Sequence, residues 1–323
     1  MLKIAYIYDV NNKYTYANRT VASGFRNAFQ ARGDQFTIFD TKKLSQWLPP
    51  WEKINLVTYK PDIIFASVSA ISYLPVDLLK NSALVLWGEF FSPCYYEEQI
   101  DNLSEPTKAV LRKYSSRNNI LVWSQHDDLI NEKFFGGYER ELGVGFIQLL
   151  HCADKNQYIE PILQPDTDFL WIGNTSHRLE AYNSFILPLK EVSQNYIEHT
   201  EKNMITPEDI YIQGLYQKCI ISPNIHTEAQ IKHNILVNER VFSSSIMGGF
   251  QICDNVLAKK YFNEDELVIA TSKDEFIDLL DYYRKNLTER FKMVKKMQAN
   301  ILANHTYFNR IDSILKALEA RCK

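Results

Sequence analysis

The sequence predicts an α/β protein built from two doubly wound parallel sheets. Short apolar runs alternate with longer amphipathic segments along all 323 residues, which is the order in which strand–helix–strand units build a parallel sheet. Most of the short runs lack polar alternation, as strands covered on both faces do. The pattern also restarts after Gln157–Asp168, a stretch holding Pro161 and Pro165 that reads as a domain connection. A chain of this length suits two domains of ordinary size.

In the first half, the expected strands are Leu2–Tyr8, Phe36–Phe39, Asp62–Ala66, Ala83–Trp87, Asn119–Trp123 and Phe146–Leu150, with a helix over Thr20–Ala31 closed by Gly33. In the second half they are Phe169–Ile172, Asp209–Gln213 ending at Gly214, Cys219–Ile221, Phe250–Cys253 and Leu267–Ala270. Helices are expected from about Arg178 and over Ile231–Met247, Asp274–Arg284, Leu287–Leu302 and Phe308–Leu318. The domains are read as residues 1–160 and 161–305. Two such sheets are expected to face each other across a cleft, and ligands of open α/β sheets bind beyond the carboxyl ends of the strands.

Composition narrows the class. The chain is 46% hydrophobic and 23% charged, enough to give each half a core. Its formal net charge of −3 gives no general pull toward nucleic acid or anionic lipid, so neither is expected as a partner. No stretch reaches the ~18 to 20 apolar residues of a membrane span. The opening run Met1–Asp9 is too short for a secretory signal and reads as a strand. The five cysteines, Cys94, Cys152, Cys219, Cys253 and Cys322, form no CxxC pair, which predicts free thiols in the cytoplasm and neither disulfides nor a zinc site.

The turns after the strands carry the candidate chemistry. Asp9-Val10-Asn11-Asn12 follows the first strand, and Gly173-Asn174-Thr175-Ser176-His177-Arg178 follows the first strand of the second half. Neither has the glycine pattern of a dinucleotide site, and no Walker lysine is present. The second turn has two readings. It is a tight turn beside a surface arginine, or an anion cradle in which Gly173 lets a ligand approach, a helix start favours negative charge and Arg178 reaches phosphate. Asn234–Asn255 reads NILVNERVFSSSIMGGFQICDN. Drawn as one helix, Asn234–Met247 is apolar nearly all round, with Glu239 and Arg240 in its middle. Charges on a buried helix need partners, either each other or a ligand. Asp166-Thr167-Asp168 precedes a strand and reads as turn formers, so no metal is expected.

In the first half, Asp9, Glu89, His126 and His151 lie at strand ends, where each serves as a loop or capping residue or as a general base. His126 and Glu89 follow the strongest apolar strands. The aromatic residues Trp87, Phe90, Phe91, Tyr95 and Tyr96 suit core packing or stacking on a ligand.

The order Gly173-Asn174 with Arg178, Ile212-Gln213-Gly214, Asn224-Ile225-His226, Asn238-Glu239-Arg240-Val241-Phe242, Gly248-Gly249 and Asp254 resembles the C-terminal domain of GT-B glycosyltransferases, in particular the spore maturation protein CgeB-like group. The resemblance covers about Gln125–Leu318. It implies two Rossmann-like domains, with the tail, about 306–323 and including Arg310, crossing back to the first. It further implies that Asn174 and Arg178 cradle a diphosphate with Arg240 as second cation. Gly214, Asn224 and His226 would line the base or sugar, and Glu239, Gly248 and Gly249 would complete the pocket. One position departs: the family's glutamate after Val-Phe is Ser243 here. Glu239, one turn earlier, is placed to share its role toward the ribose.

The resemblance therefore implies a metal-independent transferase that moves a sugar from a nucleotide-diphosphate sugar to a hydroxyl acceptor, with no cofactor and with His126, Glu89 or Asp9 as base. A nucleotide-sugar epimerase on the same fold, an inactive donor-binding or scaffolding subunit in which Ser243 marks lost activity, and a phage-type transferase acting on modified DNA are the alternatives.

Overall fold

The computed structural model describes residues 1–10, 16–46, 50–91, 102–126, 128–200, 210–234 and 236–321. The chain divides into two compact units, Met1–Leu150 with Phe308–Lys323, and His151–Tyr307.

The first unit holds a six-stranded sheet of β1 (Lys3–Tyr8), β2 (Gln35–Asp40), β3 (Ile63–Ser67), β4 (Ala83–Trp87), β5 (Ile120–Ser124) and β6 (Gly145–Gln148). The order is β2-β1-β3-β4-β5-β6 and every pairing is parallel. The apolar runs became strands for the expected reason: β5 is buried along its whole length. The helix Tyr16–Ala31 buries Val21, Ala22, Phe25, Ala28 and Phe29, a 3.6-residue stripe, and Phe25 meets Phe65 of β3 with ring centroids 4.9 Å apart. The last helix, Tyr307–Arg321, joins this unit. Ile311, Ile314 and Leu318 are buried, Arg310 Nε donates to the Leu150 carbonyl at 2.7 Å, and Arg321 Nη2 donates to the Gly143 carbonyl at 3.0 Å.

The second unit holds β7 (Thr167–Ile172), β8 (Tyr196–His199), β9 (Cys219–Asn224), β10 (Gln251–Cys253) and β11 (Val268–Ile269), in the order β11-β10-β9-β7-β8, again all parallel. β9 runs on to Asn224 through Pro223. The Ser222 N–H and the Asn224 carbonyl bond toward β10, so the donor that proline lacks is not needed on that side. Arg290 is fully buried and donates to the Ile220 carbonyl at 2.7 Å and to the Cys219 carbonyl, fastening the amino end of β9.

Three elements differ from expectation. The segment expected as a strand over Asp209–Gln213 is, from Ile210, the helix Ile210–Tyr216; Asp209 lies outside the described residues. Ile212, Leu215 and Tyr216 are buried at helical spacing, and that period overrides the short apolar alternation. The expected helix Ile231–Met247 is two helices, Glu228–His233 and Glu239–Ile246. Asn234 ends the first in a left-handed conformation, φ 51°, a cap that asparagine tolerates. Glu239 and Arg240 therefore open the second helix and are not mid-helix charges. β8 was not expected at all. It is an edge strand, partly exposed, and Tyr196 stacks on Phe169 at 5.0 Å. The stretch Gln157–Asp168, read as a connection, lies inside the second unit, held where Ile159 N–H donates to Ile246 at 3.0 Å and Gln298 Nε2 to Ile159 at 2.8 Å.

Among the described residues, no helix is long and apolar enough to cross a membrane.

Candidate active site

Each sheet has one point at which its strand order reverses, between β1 and β3 in the first and between β7 and β9 in the second. At such a point the two connections leave on opposite faces and open a crevice beyond the carboxyl ends. The candidate residues gather at these two places.

At the second crevice, Arg240 reaches across from the first turn of its helix. Its guanidinium donates to the carbonyl of Ile172, which ends β7, and at 3.3 Å to the carbonyl of Ile225, which follows β9. Gly173 makes this possible, because a Cβ there would stand 2.9 Å from Arg240 Nη1. Arg178 lies nearby and half-buried. Its Nε is buried with no hydrogen-bonding partner among the described residues. Burial, then the charge of Arg240, pulls this guanidinium down to about 9, with Asp254 opposing. Two cations that repel one another across one strand end leave positive charge there, which Asp254 offsets only in part. Asn174 sets the turn: its Oδ1 accepts from Ser176 Oγ at 2.6 Å and from His177 N–H at 3.2 Å.

Behind the arginines is a buried polar network. Asp254 accepts the His226 N–H at 2.9 Å and lies 2.6 Å from His226 Nδ1. His226 Nε2 accepts the Asn238 N–H at 3.0 Å, so the ring's proton sits on Nδ1 and is donated to Asp254. Burial holds this imidazole below its ordinary range, against the pull of Asp254. Asn238 Nδ2 donates to Asn224 Oδ1 at 3.3 Å and to the Ile225 carbonyl at 3.1 Å, while Asn224 Nδ2 donates to Gln251 at 3.2 Å. Asn224 and His226, expected to line the ligand, are thus fully buried and brace the turn that carries the Ile225 carbonyl. His226, Cys253 and Asp254 place three possible metal-ligand atoms within 4.8 Å of one another, but both histidine nitrogens are engaged in these hydrogen bonds.

Glu239 stands at the helix start beside Arg240, half-buried. Burial pushes its carboxyl up to about 6, with Ser243 and Arg240 drawing it back. Ser243, one turn on, donates to the Glu239 carbonyl at 3.4 Å, the neighbouring relation expected from the spacing. Gly248 and Gly249 are not brought to the crevice. They follow the helix at its far end and precede β10, whereas the crevice lies beyond the strands' carboxyl ends. Gly248 has φ +83°, and both glycines pack against neighbouring main chain. Gly214 lies inside the helix Ile210–Tyr216, with open space where its Cβ would be. Neither its conformation nor its surroundings require glycine.

At the first crevice, a pocket of about 160 Å³ opens among Tyr6, Tyr8, Asp9, Thr41, Ser67, Trp87 and Trp123. Of the three candidate bases, Asp9 lines it, 3.2 Å from Lys42 Nζ. Glu89 is half-buried after β4, and its carbonyl accepts from Tyr138 Oη at 2.8 Å. His126 is buried between Phe90 and Phe135, ring centroids 5.2 and 5.4 Å away, with Nδ1 2.6 Å from Ser124 Oγ. Burial pushes this imidazole down to about 4. His151 opens the second unit. Of the aromatic cluster, Trp87 lines the pocket, Phe90 and Phe91 are core, and Tyr95 and Tyr96 lie outside the described residues. Thr41, Ser67 and Trp123 were missed, since only the pairing of strands distant in sequence brings them together.

Solved structures resemble the whole chain. An α-glucosyltransferase in complex with UDP matches with a TM-score of 0.59 at 9% identity, over 98% of this chain and 100% of that one. A glycosyltransferase from Rickettsia africae ESF-5 matches with 0.57 at 8%, over 99% of each chain. The T4 phage β-glucosyltransferase matches with 0.55 at 13%, over 98% and 99%. The two parallel-sheet domains are those of the GT-B fold. No protein of curated function matches the sequence. The family model described as glycosyl transferase-like matches residues 151–316, about half of the chain and all of the unit that holds the two arginines. The chain belongs to that glycosyl transferase-like family and is a glycosyltransferase of the GT-B fold.

Proposed function

We propose that the second unit binds a nucleotide-diphosphate sugar and that the first unit presents the acceptor hydroxyl. The observation that carries this reading is the pair Arg178 and Arg240, drawn together at the crevice between β7 and β9 with an Nε buried and unpartnered among the described residues. A diphosphate matches both guanidiniums at once. Glu239, at the same helix start, accepts from the ribose hydroxyls. Uridine is the first nucleoside to test, because one structural relative was solved with UDP.

In the transfer, the acceptor oxygen bonds to the anomeric carbon as the bond from that carbon to the diphosphate oxygen breaks. The electron pair leaves with the diphosphate, where the two guanidiniums meet the developing charge without a metal ion. The acceptor's proton passes to a carboxylate, and Asp9 is the candidate base that lines the first-unit pocket.

Thermal unfolding against UDP, GDP, TDP and CMP tests the donor site. A nucleotide at 100 times its dissociation constant adds about 2.7 kcal/mol. The expected result is a shift with UDP that is lost in Arg178→Gln. No shift with any nucleotide overturns the reading.

A further inference from the structure

We infer that the pocket of the first unit takes the ring of a neutral saccharide, so that the acceptor hydroxyl belongs to a carbohydrate. This inference rests on the transferase reading above and names the substrate class of its acceptor side.

Strand register builds the lining. Tyr6, Phe65 and Val85 are register partners in one row, and Ser67, Trp87 and Trp123 form the row two residues further on. Register partners in a sheet share a face, as do residues two apart. The result is an apolar lining in which Tyr6 and Phe65 are buried and also pack on Phe25, while Trp87 is half-buried. Trp87 and Trp123 stack at 5.1 Å and 19°, and Trp87 Nε1 donates to Gln125 Oε1 at 3.0 Å, which fixes the ring. The rim is different in kind. Asp9 follows β1, Thr41 follows β2 and Ser67 ends β3. The space is about 160 Å³, far above the ~10–15 Å³ that admits one water.

An apolar, aromatic lining beside a carboxylate and hydroxyls matches a sugar ring, which has an apolar C–H face and a rim of hydroxyl donors. The charge decides between this and other flat ligands. Among the described residues the lining includes no lysine or arginine, and the nearby Lys42 is paired to Asp9. A nucleobase also stacks on tryptophan, but it brings phosphates that need neutralising cations. Here they would meet the carboxylate of Asp9.

Saturation-transfer NMR on the full chain tests this, with glucose, galactose, N-acetylglucosamine and lactose as probes, each with and without UDP, and a short oligodeoxynucleotide in parallel. The expected result is transfer to the ring C–H protons of at least one saccharide, reduced at least tenfold in Trp87→Ala and retained in Trp87→Phe. Both variants should keep the UDP-induced thermal shift, which reports that they are folded. Loss of that shift in wild-type protein sinks the donor reading instead, whatever the saccharides do. The inference is overturned if no saccharide gives a signal, if the signal is unchanged in Trp87→Ala, or if the oligonucleotide alone binds.

Discussion

The guanidinium of Arg240 occupies the space that a side chain at Gly173 would need: a Cβ there would stand 2.9 Å from Arg240 Nη1 and 2.9 Å from the ring of Trp171. The glycine at the end of β7 therefore serves to admit the arginine from the neighbouring helix, which then bridges the strand ends.

Gly173→Ala should displace Arg240 and overpack Trp171. The expected loss is about 1–3 kcal/mol of stability, with nucleotide affinity down about tenfold. Gly214→Ala is the control. It has open space and a helical backbone, so a gain of about 0.5–1 kcal/mol is expected, with affinity unchanged. Urea unfolding and calorimetric titration read both.

Arg178→Gln should raise the melting temperature of the unliganded protein and remove its response to UDP. The fold disfavours this charge, since burial and Arg240 hold the guanidinium at about 9, well below its ordinary value. A cation whose folded pKa is depressed lowers stability at neutral pH, and glutamine removes that burden. Differential scanning calorimetry with and without UDP separates the two effects.

Glu239 should give a pH dependence of definite sign. Its carboxyl binds a proton more tightly in the folded chain, at about 6 against 4.5 unfolded. Its contribution to stability is therefore present below 4.5 and lost as pH rises through about 6. The difference in unfolding free energy between wild type and Glu239→Gln, followed from pH 4 to 7, should show that loss. Nucleotide affinity should move the other way, rising through about pH 6 as the carboxylate becomes available to the ribose, and Glu239→Gln should flatten it.

Asp254→Asn replaces an acceptor with a partial donor facing the His226 N–H and Nδ1–H. The expected cost is about 2–3 kcal/mol, read by urea unfolding, and nucleotide binding should weaken with the turn that carries the Ile225 carbonyl.

Asp9→Asn should lower kcat about 10²–10⁴-fold while leaving UDP affinity unchanged. His126→Asn should lower stability by about 1 kcal/mol through the lost Ser124 contact and keep turnover in the folded fraction. Single-turnover rates with a saccharide acceptor distinguish the two residues.

The sequence showed what is locally encoded. Ala83–Trp87 and Ile120–Trp123 are unbroken apolar runs, and each lies in an interior strand. Tyr196–His199 was illegible because an edge strand needs only one covered face, and Glu198 and His199 break its apolar run. Asn234 hid inside an apolar window, yet its left-handed cap splits the helix and moves Glu239 and Arg240 to a helix start. At the site, Gly173, Arg178 and Arg240 were legible as residue types that suit phosphate. The engagement of Asn224 and His226 in a buried network was not, because it depends on Asp254 and Asn238 arriving from other strands and helices. Trp123 and Ser67 join the pocket only through strand register.

Calorimetric titration of uridine, UMP and UDP into the wild-type protein and Arg178→Gln tests the central claim most directly. If Arg178 and Arg240 hold a diphosphate, affinity should climb with each phosphate, to at least about 100-fold from uridine to UDP, or ~2.7 kcal/mol, and most of that gain should vanish in Arg178→Gln. Equal affinity for uridine and UDP, or a gain that survives in the variant, would contradict the account.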